Sequence, residues 1–153
     1  MRAKTVTAEQ LIGLMEEEFA GGRAVSLTVT GSSMEPFLRG ERDQVLLVAP
    51  ERRPLRVGEI ILFRRDDGSC VLHRVLKVEN NVFTVNGDAQ TWTEKVQKRQ
   101  ILAAAEGLVR KGCYLSCDRP LYRWINAFWR FGRPLRKILF QLAHIFAAVK
   151  PKR

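Results

Sequence analysis

Acidic residues all but vanish from the C-terminal stretch of this chain. Residues 111–153 hold ten Lys/Arg and a single carboxylate, Asp118, whereas residues 1–110 hold 16 Lys/Arg and 15 Asp/Glu. The net charge of +10 therefore belongs to the tail, and a basic tail seeks anions. Cysteine is scarce. Cys70, Cys113 and Cys117 are odd in number and give no disulfide framework, which favours a reducing compartment. The C-x3-C pair has no second pair to complete a zinc site, so small buried or half-buried thiols are expected, with no metal and no cofactor. Histidine occurs only twice, at 73 and 144. No stretch of roughly 18 uncharged apolar residues occurs, which excludes a spanning helix. The N-terminus lacks the apolar segment of an export signal, because Glu16, Glu17 and Glu18 interrupt it. A cytoplasmic chain is expected, peripheral at the inner face of the membrane if its tail binds there.

What is present is a short helix, a run of strands and a basic tail. Thr7, with Gln10 three residues on, predicts a capped helix whose apolar face is Leu11, Leu14, Met15 and Phe19, stopped by Gly21-Gly22. Val25, Leu27 and Val29 alternate with polar residues, as in a half-buried strand. QVLLVAP, a strand over 59–64, CVLHRVLKV, VFTVNG and ILAAAEGLVRKG follow, punctuated by Val57-Gly58, DDGS and Asn80-Asn81. Six or so short strands with turns every 8–12 residues predict a mainly β fold, a small antiparallel barrel or sandwich. The expected organisation is an N-terminal helix over 1–24, a β domain over 25–112 and a basic amphipathic helical tail over 113–153.

In the tail, Asp118 and Pro120 can open a helix. Leu121, Trp124, Ile125 and Phe128 share one face, with Trp129 nearby. Beyond Gly132 and Pro134, the residues Leu135, Ile138, Leu139, Leu142, Phe146 and Val149 keep the helical period, with Arg133, Arg136 and Lys137 off the stripe. Peripheral contact with anionic membrane through 119–149 is one expectation, and packing on the β domain or on another copy is the other. His144 reads as a plain surface residue. No nucleic-acid reading motif accompanies the charge, so no nucleic-acid partner is expected.

Two side chains in the body suit nucleophilic chemistry. Ser33, in GSSMEP after a strand, has small neighbours that leave its hydroxyl open to substrate and its N–H free to face an oxyanion. A serine needs a base, and His73 is the body's only histidine. It shares a strand face with Val71 and Val75, while Leu72, Arg74 and Leu76 take the other. Asp88 and Glu94 are the acids that could orient the imidazole. Spacing does not choose between them.

GSSMEPFLRGERDQVLLV, RVGEIILF, VLHRVLKV and FTVNGDAQ, taken in order, resemble the four boxes of signal peptidase I, over roughly residues 27–110. The resemblance implies an antiparallel β fold and a serine endopeptidase acting on a peptide or protein, such as a leader or signal-like peptide. Ser33 falls at the nucleophile position and Met34 follows it, as in the family. His73 falls at the base position, where bacterial members usually have Lys and the archaeal and endoplasmic-reticulum type has His. Many members carry a serine two residues before the nucleophile; Gly31 stands there, leaving the Ser33 N–H and the Ser32 hydroxyl to hold the oxyanion. Asp88 matches the family's G-D aspartate, which can instead pair with Arg74. Glu94 matches the acid associated with His. Asp88 is placed first as the site acid and Glu94 close behind. Lacking the usual N-terminal anchor, the chain resembles the soluble, minimal members. Two other readings are a non-catalytic peptide- or partner-binding module of the same fold and, ranked last, a self-cleaving regulator.

Overall fold

The computed structural model describes residues 7–132. Residues 133–149, with the second half of the expected amphipathic stripe and His144, lie outside the described residues, as does the side chain of Trp129. The expected mainly β, antiparallel fold is observed as a curled half-barrel of eight strands with short helices at either end.

Helix α1 (Ala8–Ala20) begins with the predicted capping box: Thr7 Oγ1 accepts from the Gln10 N–H, and Gln10 Oε1 accepts from the Thr7 N–H. Its buried side chains are Leu11 and Met15, with Ile12 and Phe19 against them. Leu14, expected on that face, is 44% exposed. The helix therefore rests on a narrower stripe than its apolar content allows, and Arg64 of the sheet reaches Glu9 at 3.1 Å.

The strands are β1 (Val25–Thr28), β2 (Gln44–Val48), β3 (Ile60–Arg64), β4 (Cys70–Glu79), β5 (Val82–Asn86), β6 (Glu94–Gln97), β7 (Ile101–Arg110) and β8 (Cys113–Ser116). Their order across the sheet is β1-β2-β7-β3-β4-β5-β6. One edge of β7 carries β2; the other carries β3 along its first half and β8 along its second. Register shifts at Leu46/Leu47, Leu62/Phe63 and Val75/Lys77 bend the sheet, as bulges do by adding twist.

β6 and β8 are the two strands not anticipated. β6, EKVQ, is short and polar, in the manner of an edge strand. β8 returns from β7 through Lys111 and Gly112, both with positive φ (49° and 78°), a two-residue hairpin turn. The sheet thus runs on to Ser116, past residue 112. Helix α2 (Pro120–Phe131) follows. Cys70 is half-buried, Cys117 is buried and Cys113 is exposed, outside the buried or half-buried range expected; all three are free thiols.

The curled sheet is covered on both faces, so β3 reads as a continuous apolar run. Ile60 and Leu62 join a core with Leu11, Met15, Met34, Phe37, Leu38 and Tyr122. Ile61 and Phe63 join a second core with Val75, Phe83, Val85 and Val96. The pleat carries the same division into β4: His73, whose ring lies 5.8 Å from Phe63, goes with the second core, and Arg74, 4.4 Å above the Phe37 ring, with the first.

Asp43 closes the long β1–β2 loop. Its fully buried carboxylate accepts from Arg42 (2.7 Å, twice), from the Arg39 N–H (2.9 Å) and from the Lys111 N–H (3.4 Å). The Arg42 hydrogen bonds, joined by those two N–H groups, hold its carboxyl down to about 2 from 3.8. This stabilisation is complete above pH 3.8 and is lost as the pH falls through about 2. Asp43→Asn should lower unfolding stability at neutral pH by about 3 kcal/mol. In denaturant titrations its deficit should narrow as the pH drops from 3.8 towards 2; a constant deficit would contradict the assignment.

Candidate active site

Ser33 sits in the β1–β2 loop, whose neck is pinched beyond the strand ends. The Val29 N–H donates to Asp43 O and the Glu41 N–H to Val29 O, both at 2.9 Å. The two arms meet at glycines: a Cβ on Gly40 would lie 2.3 Å from the Gly31 carbonyl oxygen. Gly31 itself has φ +69°, a left-handed conformation that a serine would adopt only with strain. The loop's backbone thus calls for glycine at both positions. Beyond it, residues 32–38 make a compact turn containing a cis Glu35–Pro36 peptide. Met34, Phe37 and Leu38 are buried in the first core, leaving Ser33 half-buried and Ser32 exposed. Met34 is therefore an anchor that sets the height of Ser33.

The back of Ser33 rests on the turn after β5. Its carbonyl accepts the Ala89 N–H at 2.9 Å, and a Cβ on Gly87 would come within 2.6 Å of the same oxygen. Gly87 is thus a contact point that admits no side chain. Gln90 closes the turn: its N–H reaches Gly87 O and its side chain the Gly87 N–H, at 2.9 and 3.3 Å. Across the sheet Asn86 pairs with Arg74, so the chain leaves β5 at Gly87 beside His73. The Ser33 loop and the imidazole strand are in this way joined through one turn. Among the described residues, neither the Ser33 hydroxyl nor its N–H has a hydrogen-bond partner.

Asp88 and Glu94 take different partners. Both Asp88 oxygens are held by Arg74, Nε–Oδ1 at 2.9 Å and Nη2–Oδ2 at 2.7 Å, in a buried bidentate pair. The remaining Arg74 nitrogen donates to Gly58 O and to Asn126 Oδ1. Glu94 reaches the imidazole because β6 pairs with β5 and β5 with β4, Glu94 opposite Val85 and Val85 opposite Val75, two residues from His73. Its Oε1 lies 3.3 Å from His73 Nδ1. That distance is within ion-pair reach, but no hydrogen bond is made there, and both ring nitrogens are buried without a partner among the described residues.

Arg65 was not anticipated. Its guanidinium grips Glu94 at 2.6 and 2.7 Å, drawing Glu94's pKa below the usual carboxylate range. It stands where β3 enters the DDGS turn, and nothing in linear spacing joins it to Glu94. His73 is completely buried. Burial pulls its pKa down to about 4; Glu94 opposes that fall, Arg65 adds to it and Asp88 opposes it. The imidazole is therefore neutral at pH 7, in the form that accepts a proton. Among the described residues no cluster of His, Cys, Asp and Glu could hold a metal.

A family model described as Peptidase S24-like matches residues 3–104, a span that includes Ser33, His73, Asp88 and Glu94. The chain belongs to the Peptidase S24-like family. No curated protein matches it. The Peptidase S24-like family has a serine peptidase fold related to signal peptidase I and is not specific to a His base. In this Peptidase S24-like chain the match ends within β7, so β8 and α2 lie beyond it.

Between pH 6.5 and about 4 the unfolded chain takes up a proton that folded His73 refuses, so stability should fall as the pH drops through that window. Arg65→Ala removes a cation facing the ring and frees Glu94 to pair with it. Its His73 ring protons, followed by NMR, should titrate closer to 6.5 than those of the wild type. An unshifted midpoint would show that Arg65 does not tune the imidazole.

Proposed function

We propose that this chain is a serine endopeptidase in which Ser33 attacks the peptide carbonyl and His73 is the general base. The observation that supports this most is the seating of the Ser33 carbonyl on the Gly87–Ala89 turn, beside the strand that carries a buried, neutral His73. In this reading Nε2 takes the Ser33 hydroxyl proton as Oγ bonds to the substrate carbonyl carbon. The oxyanion is met by the Ser33 N–H, joined by the Ser32 hydroxyl. The imidazolium so formed faces Glu94, whose charge favours the protonated ring while Arg65 keeps the carboxylate fixed. The ring then gives its proton to the leaving amine. A water, deprotonated by the same nitrogen, releases the acyl group.

Asp88 serves this site by position, through Arg74. Glu94 is the acid that faces the base. Substrate enters as an extended strand, since β1 pairs only with β2 among the described residues and its free edge leads into the Ser33 loop. A leader or signal-like peptide, unstructured around its cleavage point, suits that mode.

A fluorophosphonate probe reports an activated serine without knowledge of the substrate. Wild type should be labelled at Ser33. Ser33→Ala should abolish labelling, and His73→Gln should slow it by about a hundredfold or more, with circular dichroism unchanged in both. A wild type labelled no more than Ser33→Ala would leave a binding module of the same fold.

A further inference from the structure

Helix α2 turns an apolar stripe outward. Leu121, Trp124, Phe128 and Phe131 are 61%, 77%, 79% and 84% exposed. At spacings of three and four residues they line one side of the helix. A different side holds the body: Tyr122 is buried and edge-on to Phe37, Ile125 packs on the first core, and Asn126 accepts from Arg74 and donates to the Gly58 carbonyl, both at 2.7 Å. The stripe cannot roll inward without breaking those bonds. Arg119 and Arg123 are also exposed. The single carboxylate after residue 110, Asp118, is already paired with Arg53 at 3.0 Å.

We propose that α2 is an interfacial helix that seats this chain on an anionic lipid surface, its Leu121–Trp124–Phe128–Phe131 stripe entering the headgroup region. Four large exposed apolar side chains in one line exceed what a free surface carries without a role. Charge selects the occupant. A second copy docked on this helix would bring its own exposed Arg119 and Arg123 against the first pair, whereas anionic headgroups neutralise them. Long arginine side chains extend from the helix flank to lipid phosphate while aromatic rings sit at headgroup depth. No helix among the described residues is long and apolar enough to span a bilayer, so this contact lies in the plane of the surface. It is independent of catalysis. It would also hold the peptidase body at the bilayer through Tyr122 and Asn126.

The test is co-sedimentation of the full chain with vesicles of phosphatidylcholine alone or mixed with phosphatidylglycerol, alongside Trp124→Ser/Phe128→Ser. Binding at least about tenfold tighter to the mixed vesicles, weakened at about 1 M salt, is expected. The double variant should bind about tenfold or more weakly with an unchanged melting temperature. The proposal is overturned by absent binding, or by undiminished binding of the double variant, which would assign the contact to charge alone. A variant that melts lower overturns it too, since the chain itself would then cover the stripe. So does a wild-type dimer that the substitutions make monomeric, since a second copy would then cover it.

Discussion

The buried Arg74–Asp88 pair is the joint on which the site is assembled. A guanidinium and a carboxylate taken out of water are costly unless every hydrogen bond is met. Here the cost is offset by two bonds to Asp88, by the Gly58 carbonyl and Asn126, and by the Phe37 ring beneath. Each partner comes from a different segment: the turn after β5, the approach to β3, helix α2 and the Ser33 loop. One side chain therefore fixes four pieces of backbone around Ser33. Losing either charge would leave the other buried without its partner.

The opposite face of β4 has a second joint of different character. His73, Glu94 and Arg65 form a graded series from fully buried to part-exposed, their side chains 0%, 23% and 34% accessible. Burial keeps the imidazole neutral, and the carboxylate that would charge it is shared with an arginine. An imidazole so placed is unprotonated at neutral pH, and its proton affinity would rise if negative charge developed beside it. Adjacent residues on one strand thus serve opposite ends: Arg74 is saturated with partners and holds the scaffold, while the His73 ring nitrogens are left without a hydrogen-bond partner among the described residues.

Much of the fold was legible because its strands alternate cleanly or run continuously apolar and its turns carry Gly or Asn at the required positions. Thr7 and Gln10 capped their helix as their spacing predicts. β6 and β8 were not legible: one is short and polar, and the other follows a Lys-Gly turn whose lysine gives no turn signal. Missing β6 is also why spacing could not choose between Asp88 and Glu94. Once β6 pairs with β5, Glu94 falls on the His73 face, while Asp88 is drawn to Arg74 on the other. Arg65 lay beyond any linear pattern, since its partner is 29 residues away across a sheet edge. In α2 the period was readable but its phase was not: Tyr122 and Asn126 decide which side faces the body, and both are polar.

The central claim is that Ser33 and His73 meet at one reacting centre. The most direct test is the His73 ring titration, by NMR, before and after a fluorophosphonate is attached to Ser33. Attack of Oγ expels fluoride and forms an Oγ–P bond, and the tetrahedral phosphorus carries a partly negative phosphoryl oxygen beside the ring, so the imidazole should hold its proton to distinctly higher pH in the modified protein, well above its starting value of about 4. An identical titration before and after modification would mean that the two side chains do not share a site.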